Sequence, residues 1–98
     1  MSDRIDKQLI KAVKEYYEWH KDIKAKPIRF VKNNHSDYTM LLVRFTDEQG
    51  EEMSSLMIAE DWADGHWDVT EIITAYRDCE NSMVQNFQES EEYAVWTS

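Results

Sequence analysis

The stretch Tyr38–Thr46, with the sequence YTMLLVRFT, decides the fold of this chain. It is rich in β-branched and aromatic residues, whose side chains fit the pleated, half-buried surface of a sheet. Apolar residues also occupy consecutive positions in its middle, which is typical of a strand that is covered on both faces. We therefore predict a central strand over residues 38–46 with its middle buried on both sides.

The residues after this strand predict a β-hairpin. The segment 47–50 (DEQG) has the composition of a four-residue loop, with Gly50 at the position that needs a positive φ angle. The next segment, 51–59 (EEMSSLMIA), would then return antiparallel to the central strand. A helix over residues 53–62 is the alternative, because apolar residues also recur there at helical spacing and the run is too short for periodicity to decide.

The residues before the central strand predict a helix and a short strand. Apolar side chains recur at helical spacing from Asp3 to about Ile23, and this spacing predicts a first helix. Pro27 would end it, since the residue before a proline avoids the helical region. The segment 27–32 (PIRFVK) alternates like a strand, and residues 33–37 are a run of turn formers.

The last third of the chain changes to a helical spacing after Gly65. Asp68 and Glu71 stand three residues apart, as in a capping box, and predict the start of a helix of about twenty residues. The tail, residues 91–98, would either add a short edge strand or pack its aromatic side chains against the domain.

Together these elements predict one α+β domain over residues 1–98. It contains a helix, a three-stranded antiparallel sheet and a long C-terminal helix, with the helices packed on one sheet face. Sequential strands joined by short loops most simply form a meander. The length of 98 residues and the apolar fraction of 42% support one compact core.

Charge is distributed unevenly along the chain. Residues 1–34 hold nine basic and five acidic residues, residues 35–98 hold two and fifteen, and the formal net charge is −9. Because nucleic acids and anionic membranes are bound by clustered cations, we expect neither as a direct partner, and a basic protein fits better. The single Cys79 cannot form an internal disulfide, the sequence has no long apolar run, and we expect no leader peptide. We expect a cytoplasmic protein.

The segment 60–68 (EDWADGHWD) holds four carboxylates, two tryptophans and a histidine. Its spacing does not match a calcium loop of the EF-hand type, which needs alternating oxygen ligands and a later glutamate. A structural interpretation assigns the turn to Gly65 and a helix cap to Asp68. A functional one leaves Trp62 or Trp67 exposed among the acids, as in a binding surface for a basic partner.

The sequence lacks the motifs of the common catalytic and metal sites. Its three histidines and Cys79 do not have zinc-ligand spacing, and two glycines cannot build a phosphate-binding loop. No GxSxG nucleophile motif occurs either. We therefore expect no metal, no cofactor and no enzymatic activity. The catalytic alternative is a small enzyme that acts through His66 and the acids around it, which would require a pocket.

A short acidic chain with this element order resembles small phage-encoded inhibitors, including anti-CRISPR proteins. Paired acids such as Asp47-Glu48, Glu51-Glu52 and Glu91-Glu92 contribute to the resemblance, which is one of size, charge and element order. It carries over neither a target nor contact residues. The charge asymmetry, the lack of catalytic motifs and a tryptophan exposed among the acids together predict a non-enzymatic inhibitor, whose acids imitate a nucleic acid and block the basic groove of a partner such as a defence nuclease.

Two other functions stay open at this point. One is an immunity protein that neutralises a basic toxin, and the other is a homo-oligomeric assembly protein, for example a homodimer in which the basic first third contacts the acidic remainder. The residues that we expect to bind a partner are Asp47, Glu48, Glu51, Glu52, Glu60, Asp61, Trp62, Asp64, Trp67 and Asp68.

Overall fold

A four-stranded antiparallel sheet with helices on both faces forms the centre of the computed structural model, which describes residues 7–32, 37–62 and 66–97. The strands follow one another in the order β1-β2-β3-β4, as a meander. No helix in these ranges is long and apolar enough to cross a membrane. The elements are α1 (Lys7–Tyr16), β1 (Lys21–Lys32), β2 (Asp37–Thr46), β3 (Glu52–Asp61), β4 (Trp67–Tyr76), a 3₁₀ turn (Arg77–Cys79), α2 (Glu80–Gln88) and α3 (Glu91–Thr97).

The central strand β2 confirms the prediction that its middle is buried on both faces. Leu41 and Val43 belong to one apolar cluster, which α1 covers with residues such as Leu9. Met40 and Leu42 belong to a second cluster on the opposite face, which α2 covers. The sheet is thus the middle of three layers, and we call its two sides the α1 face and the α2 face.

The hairpin between β2 and β3 is also confirmed. Gly50 has a φ angle of 84°, which glycine adopts without a steric penalty. β3 pairs with β2 in continuous register from Thr46 and Glu52 at the loop to Asp37 and Asp61 at the far end. The helical alternative for residues 53–62 is therefore wrong, because these side chains alternate between the two apolar clusters.

The prediction of a first helix that reaches Ile23 is wrong, because α1 ends at Tyr16 and residues 21–23 already belong to β1. β1 pairs with β2 from Lys21 onward, and these inter-strand bonds outweigh the local helical spacing. Pro27 lies within β1, which tolerates it as an edge strand. Of the predicted turn at residues 33–37, residues 33–36 lie outside the described residues, and Asp37 is the first residue of β2.

The predicted three-stranded sheet and long C-terminal helix are also wrong. Trp67–Tyr76 forms a fourth strand, and within the predicted helix the α-helical part is Glu80–Gln88, which follows the 3₁₀ turn. The predicted helix cap at Asp68 and Glu71 is lost with the long helix. Valine, isoleucine, threonine and tyrosine dominate the segment 67–76, and these residues favour strands. The segment therefore forms a strand where β3 is available for pairing. A register shift opposite Leu56 and Met57 places an extra residue in β4.

The prediction that the helices pack on one face of the sheet is wrong, because α1 and α2 lie on opposite faces. Since β2 and β3 have apolar side chains on both sides, a single helical layer would leave one side exposed to water. The tail forms α3 and not an edge strand. Tyr93 of α3 packs against the cluster on the α2 face, at 5.6 Å between its ring centre and that of Phe87.

A buried hydrogen-bond network ties the end of α1 to the sheet. The Tyr17 hydroxyl donates to Glu71 Oε1 of β4 at 2.7 Å and lies 2.7 Å from Ser55 Oγ of β3. Since the only proton of the tyrosine goes to the carboxylate, Ser55 donates to the Tyr17 oxygen. Burial and the bond to Glu71 raise the pKa of Tyr17, so the hydroxyl stays protonated.

Tyr17→Phe is expected to lower the free energy of unfolding by about 1–2 kcal/mol, because it leaves the Ser55 hydroxyl buried without this partner. Urea denaturation measures the loss. Tyr16→Phe is the matched control, since Tyr16 is 47% exposed, and it should change stability by less than about 0.5 kcal/mol. If adding Ser55→Ala to Tyr17→Phe costs as much as Ser55→Ala alone, the two hydroxyls are not coupled and the network is refuted.

Candidate functional site

The residues predicted to bind a partner divide between the two ends of β3. A ten-residue strand spans roughly 30 Å, so the two groups form separate surfaces. Asp64 lies outside the described residues. The group at the β2–β3 hairpin consists of Asp47, Glu48, Glu51 and Glu52. The group at the β3–β4 connection consists of Glu60, Asp61, Trp62, Trp67 and Asp68.

Part of the hairpin group stabilises the hairpin itself. The Asp47 carboxylate accepts hydrogen bonds from the backbone N–H groups of Gln49 and Glu51, at 2.9 and 2.8 Å. Glu52 lies 3.9 Å from a guanidinium nitrogen of Arg77, whose side chain also donates to main-chain carbonyls of β2 and β3. Two of the four hairpin acids are therefore engaged within the chain.

At the β3–β4 connection, the two tryptophans have different environments. Trp67 packs against the cluster on the α1 face, whereas Trp62 is 55% exposed. The Trp62 indole N–H donates to Asp68 Oδ2 at 2.9 Å, and its backbone N–H donates to the carbonyl of His66 at 3.1 Å. Of these two tryptophans, Trp62 is therefore the one that faces water, and it is held in place beside a carboxylate.

Strand pairing and the packing of α3 bring three acids together on the α2 face. Glu60 of β3 lies directly opposite Asp68 of β4, and Glu92 of α3 reaches the same place. They border a groove of about 480 Å³ between the sheet edge and α3. We call it the acidic groove; its main lining residues are Tyr38, Ile58, Glu60, Asp68, Ile72 and Glu92.

The acidic groove has the chemistry to hold a long basic side chain. Its apolar walls suit the aliphatic stem of lysine or arginine, and its carboxylates suit the charged head. The Tyr38 hydroxyl donates to Glu60 Oε2 at 3.1 Å and so orients that carboxylate. The exposed ring of Trp62 lies beside the groove, because its indole N–H donates to Asp68. A guanidinium bound in the groove can stack on this ring.

The structure gives no geometric support to a catalytic role for His66. Its side chain is 65% exposed, and Nε2 lies 3.4 Å from Asp68 Oδ1 at the open surface. A general base is normally placed in a pocket that shields it from water. Within residues 7–32, 37–62 and 66–97, no group of three or more histidine, cysteine or acidic side chains has the geometry to hold a metal ion.

The predicted partner-binding set does not contain the other residues that line the groove, which are Tyr38, Ile58, Val69, Thr70, Glu71, Ile72 and Glu92. Of these, the sequence drew attention to Glu92, as one of the paired acids of the tail. The signal that could have found the others is the run of β-formers in residues 69–76, which allows a hairpin with β3. That hairpin would have placed Asp68 opposite Glu60. Glu92 could not have been found in this way, because its position depends on how α3 packs.

Comparisons with known proteins do not add a relative. No protein-family model, curated protein or solved structure matches the chain.

Proposed function

We propose that this chain is a non-enzymatic, cytoplasmic inhibitor that binds a basic protein and blocks its nucleic-acid-binding site. A defence nuclease of the kind countered by anti-CRISPR proteins is the partner class that fits best. The acidic groove and the exposed Trp62 would form the contact, and the hairpin acids would add to the surrounding negative field.

The observation that carries this proposal is the convergence of acids with an exposed aromatic ring. Glu60, Asp68 and Glu92 come from three elements and meet on one face, and Trp62 is bonded to one of them. Aromatic side chains contribute much of the energy at protein interfaces, while fixed charges select the partner. This combination suits a groove that normally binds phosphates and bases.

Strand pairing places two acids of the groove side by side. Glu60 and Asp68 are directly opposite each other, and their carboxylates accept hydrogen bonds from Tyr38 and Trp62 respectively. A cation of a basic partner that approaches the groove would be attracted by both carboxylates. Binding would accordingly weaken as salt screens the attraction.

The test is a comparison of two double variants with equal charge change. Asp68→Lys/Glu92→Lys alters the acidic groove, and Glu48→Lys/Glu51→Lys alters the hairpin; all four residues are exposed. Wild-type chain is immobilised, partners are captured from host lysate and eluted with salt, and the affinity of the purified partner is measured. We expect the groove variant to lose about 30-fold in affinity and the hairpin variant less than about threefold.

Two further measurements complete the test: the captured partner is identified, and its displacement by added nucleic acid is measured. Displacement of the captured protein by added DNA or RNA would support nucleic-acid imitation. Equal losses in both double variants would contradict a role for the acidic groove. A basic toxin as partner would make the chain an immunity protein, and recovery of the chain itself would favour an assembly protein.

A further inference from the structure

A second groove lies on the α2 face, at the opposite edge of the sheet from the acidic groove. α2 packs over β3 and β4 and leaves the side of β1 open. The resulting cleft of about 590 Å³ is continuous in its lining with a smaller one of about 190 Å³. We call it the β1 groove; its main lining residues are Lys24, Lys26, Leu42, Arg44, Val84 and Gln85.

The β1 groove is the basic counterpart of the acidic groove. Lys24 is opposite Arg44 and Lys26 is opposite Leu42 in the β1–β2 register, so both lysines point to the α2 face. Both are exposed, and neither forms an ion pair with any of the described residues. Only Arg44 is neutralised, by Glu80. Two uncompensated positive charges thus face one cleft in a chain whose net charge is −9.

The walls of the β1 groove indicate what kind of anion it can hold. Ile28, Leu42 and Val84 give it an apolar floor, and the amide side chains of Gln85 and Gln88 lie along α2. Amides both donate and accept hydrogen bonds, so they can pair with the main chain of an extended peptide. Carboxylates that alternate with apolar side chains would match the lysines and the floor.

Two other occupants fit less well. A nucleic acid carries a dense row of phosphates, which the net charge of −9 repels, and it has no aliphatic groups for the floor. A peptide added as a fifth strand would need the free edge of β1. That edge carries lysines, Pro27 and two register shifts, which are features that protect an edge from pairing.

We propose that the β1 groove binds an acidic, partly apolar peptide segment of a partner protein. The binding does not require the function proposed above. If both grooves contact one partner, the acidic groove would bind its basic side chains and the β1 groove would bind its acidic segment. The partner could then bind in one orientation only. That would distinguish the true partner from other basic proteins, which the acidic groove alone cannot do.

The test uses a short fluorescein-labelled peptide in which glutamates alternate with leucines, followed by fluorescence anisotropy. Lys24→Gln/Lys26→Gln is compared with Lys7→Gln/Lys11→Gln, which removes the same charge from exposed positions on α1. We expect the first variant to weaken peptide binding about tenfold and the second less than about twofold. The variant Asp68→Lys/Glu92→Lys, which alters the acidic groove, should still bind the peptide. The proposal for the β1 groove is thus tested separately from the function proposed for the acidic groove.

Three results would overturn the proposal. The first is equal binding of a peptide with glutamine in place of glutamate, which would leave no role for charge. The second is equal loss in the two lysine variants, which would reduce the effect to net charge. The third is tighter binding of a single-stranded oligothymidylate than of the peptide, which would make the groove a nucleic-acid site.

Discussion

Glu80→Ala is expected to lower the free energy of unfolding by about 2 kcal/mol at neutral pH. Glu80 begins α2 and is 7% exposed. Its carboxylate accepts hydrogen bonds from Arg44 Nε and Nη2, at 2.8 and 2.6 Å, and from Ser54 Oγ at 2.6 Å. Since the Arg44 side chain is 48% exposed, water partly replaces the lost contact, and the cost stays below that of a fully buried pair.

The same contact has a defined pH dependence. The Arg44 guanidinium and the Ser54 hydroxyl hold the pKa of Glu80 at about 2, below its ordinary value of 4.5. A lowered folded-state pKa means that the carboxylate stabilises the fold fully above pH 4.5 and loses its contribution as pH falls towards 2.

Urea denaturation of the wild type and of Glu80→Gln at several pH values isolates this contribution, because the other carboxylates titrate in both proteins. The difference in stability between them should shrink as pH falls through that window. A difference that does not change with pH would show that the charge of Glu80 contributes nothing. Glu89→Gln is the matched control, since Glu89 is exposed at the end of the same helix.

Leu41→Ala and Leu42→Ala are each expected to cost about 3 kcal/mol. These neighbours are 0% and 6% exposed, and they belong to the clusters on the α1 face and the α2 face respectively. A single domain of this size has about 5–15 kcal/mol of total stability, so the double variant should lose a large part of it and unfold at a much lower urea concentration than either single variant. Urea denaturation followed by tryptophan fluorescence measures each loss.

This pair tests the three-layer arrangement itself. If both helices covered one face, one of the two leucines would face water and its substitution would cost little. Gln49→Ala in the exposed hairpin is the control and should change stability by less than about 0.5 kcal/mol. A loss of less than about 1 kcal/mol for either leucine would contradict a double-sided core.

The candidate site was predictable only in part, and the residues show why. The acids and tryptophans of residues 60–68 stand out by composition, so Glu60, Trp62 and Asp68 could be named in advance. The place of Ile72 depended on recognising residues 69–76 as a strand, and the place of Glu92 depends on how α3 packs, which composition does not reveal. The acids of the β2–β3 hairpin were included in the predicted site because of their charge. Charge alone does not show that they lie at the other end of β3 from residues 60–68.

The sequence by itself determined the α+β class, the central strand, the hairpin at Gly50 and the excess of acid in the last two thirds of the chain. Each follows from local chemistry: side-chain shape, one glycine with positive φ, and a count of carboxylates. Only the tertiary structure decided that residues 67–76 are a strand and that the helices lie on opposite faces. Both depend on distant partners, because β3 supplies the hydrogen bonds for β4, and the two apolar faces of the sheet each need a cover.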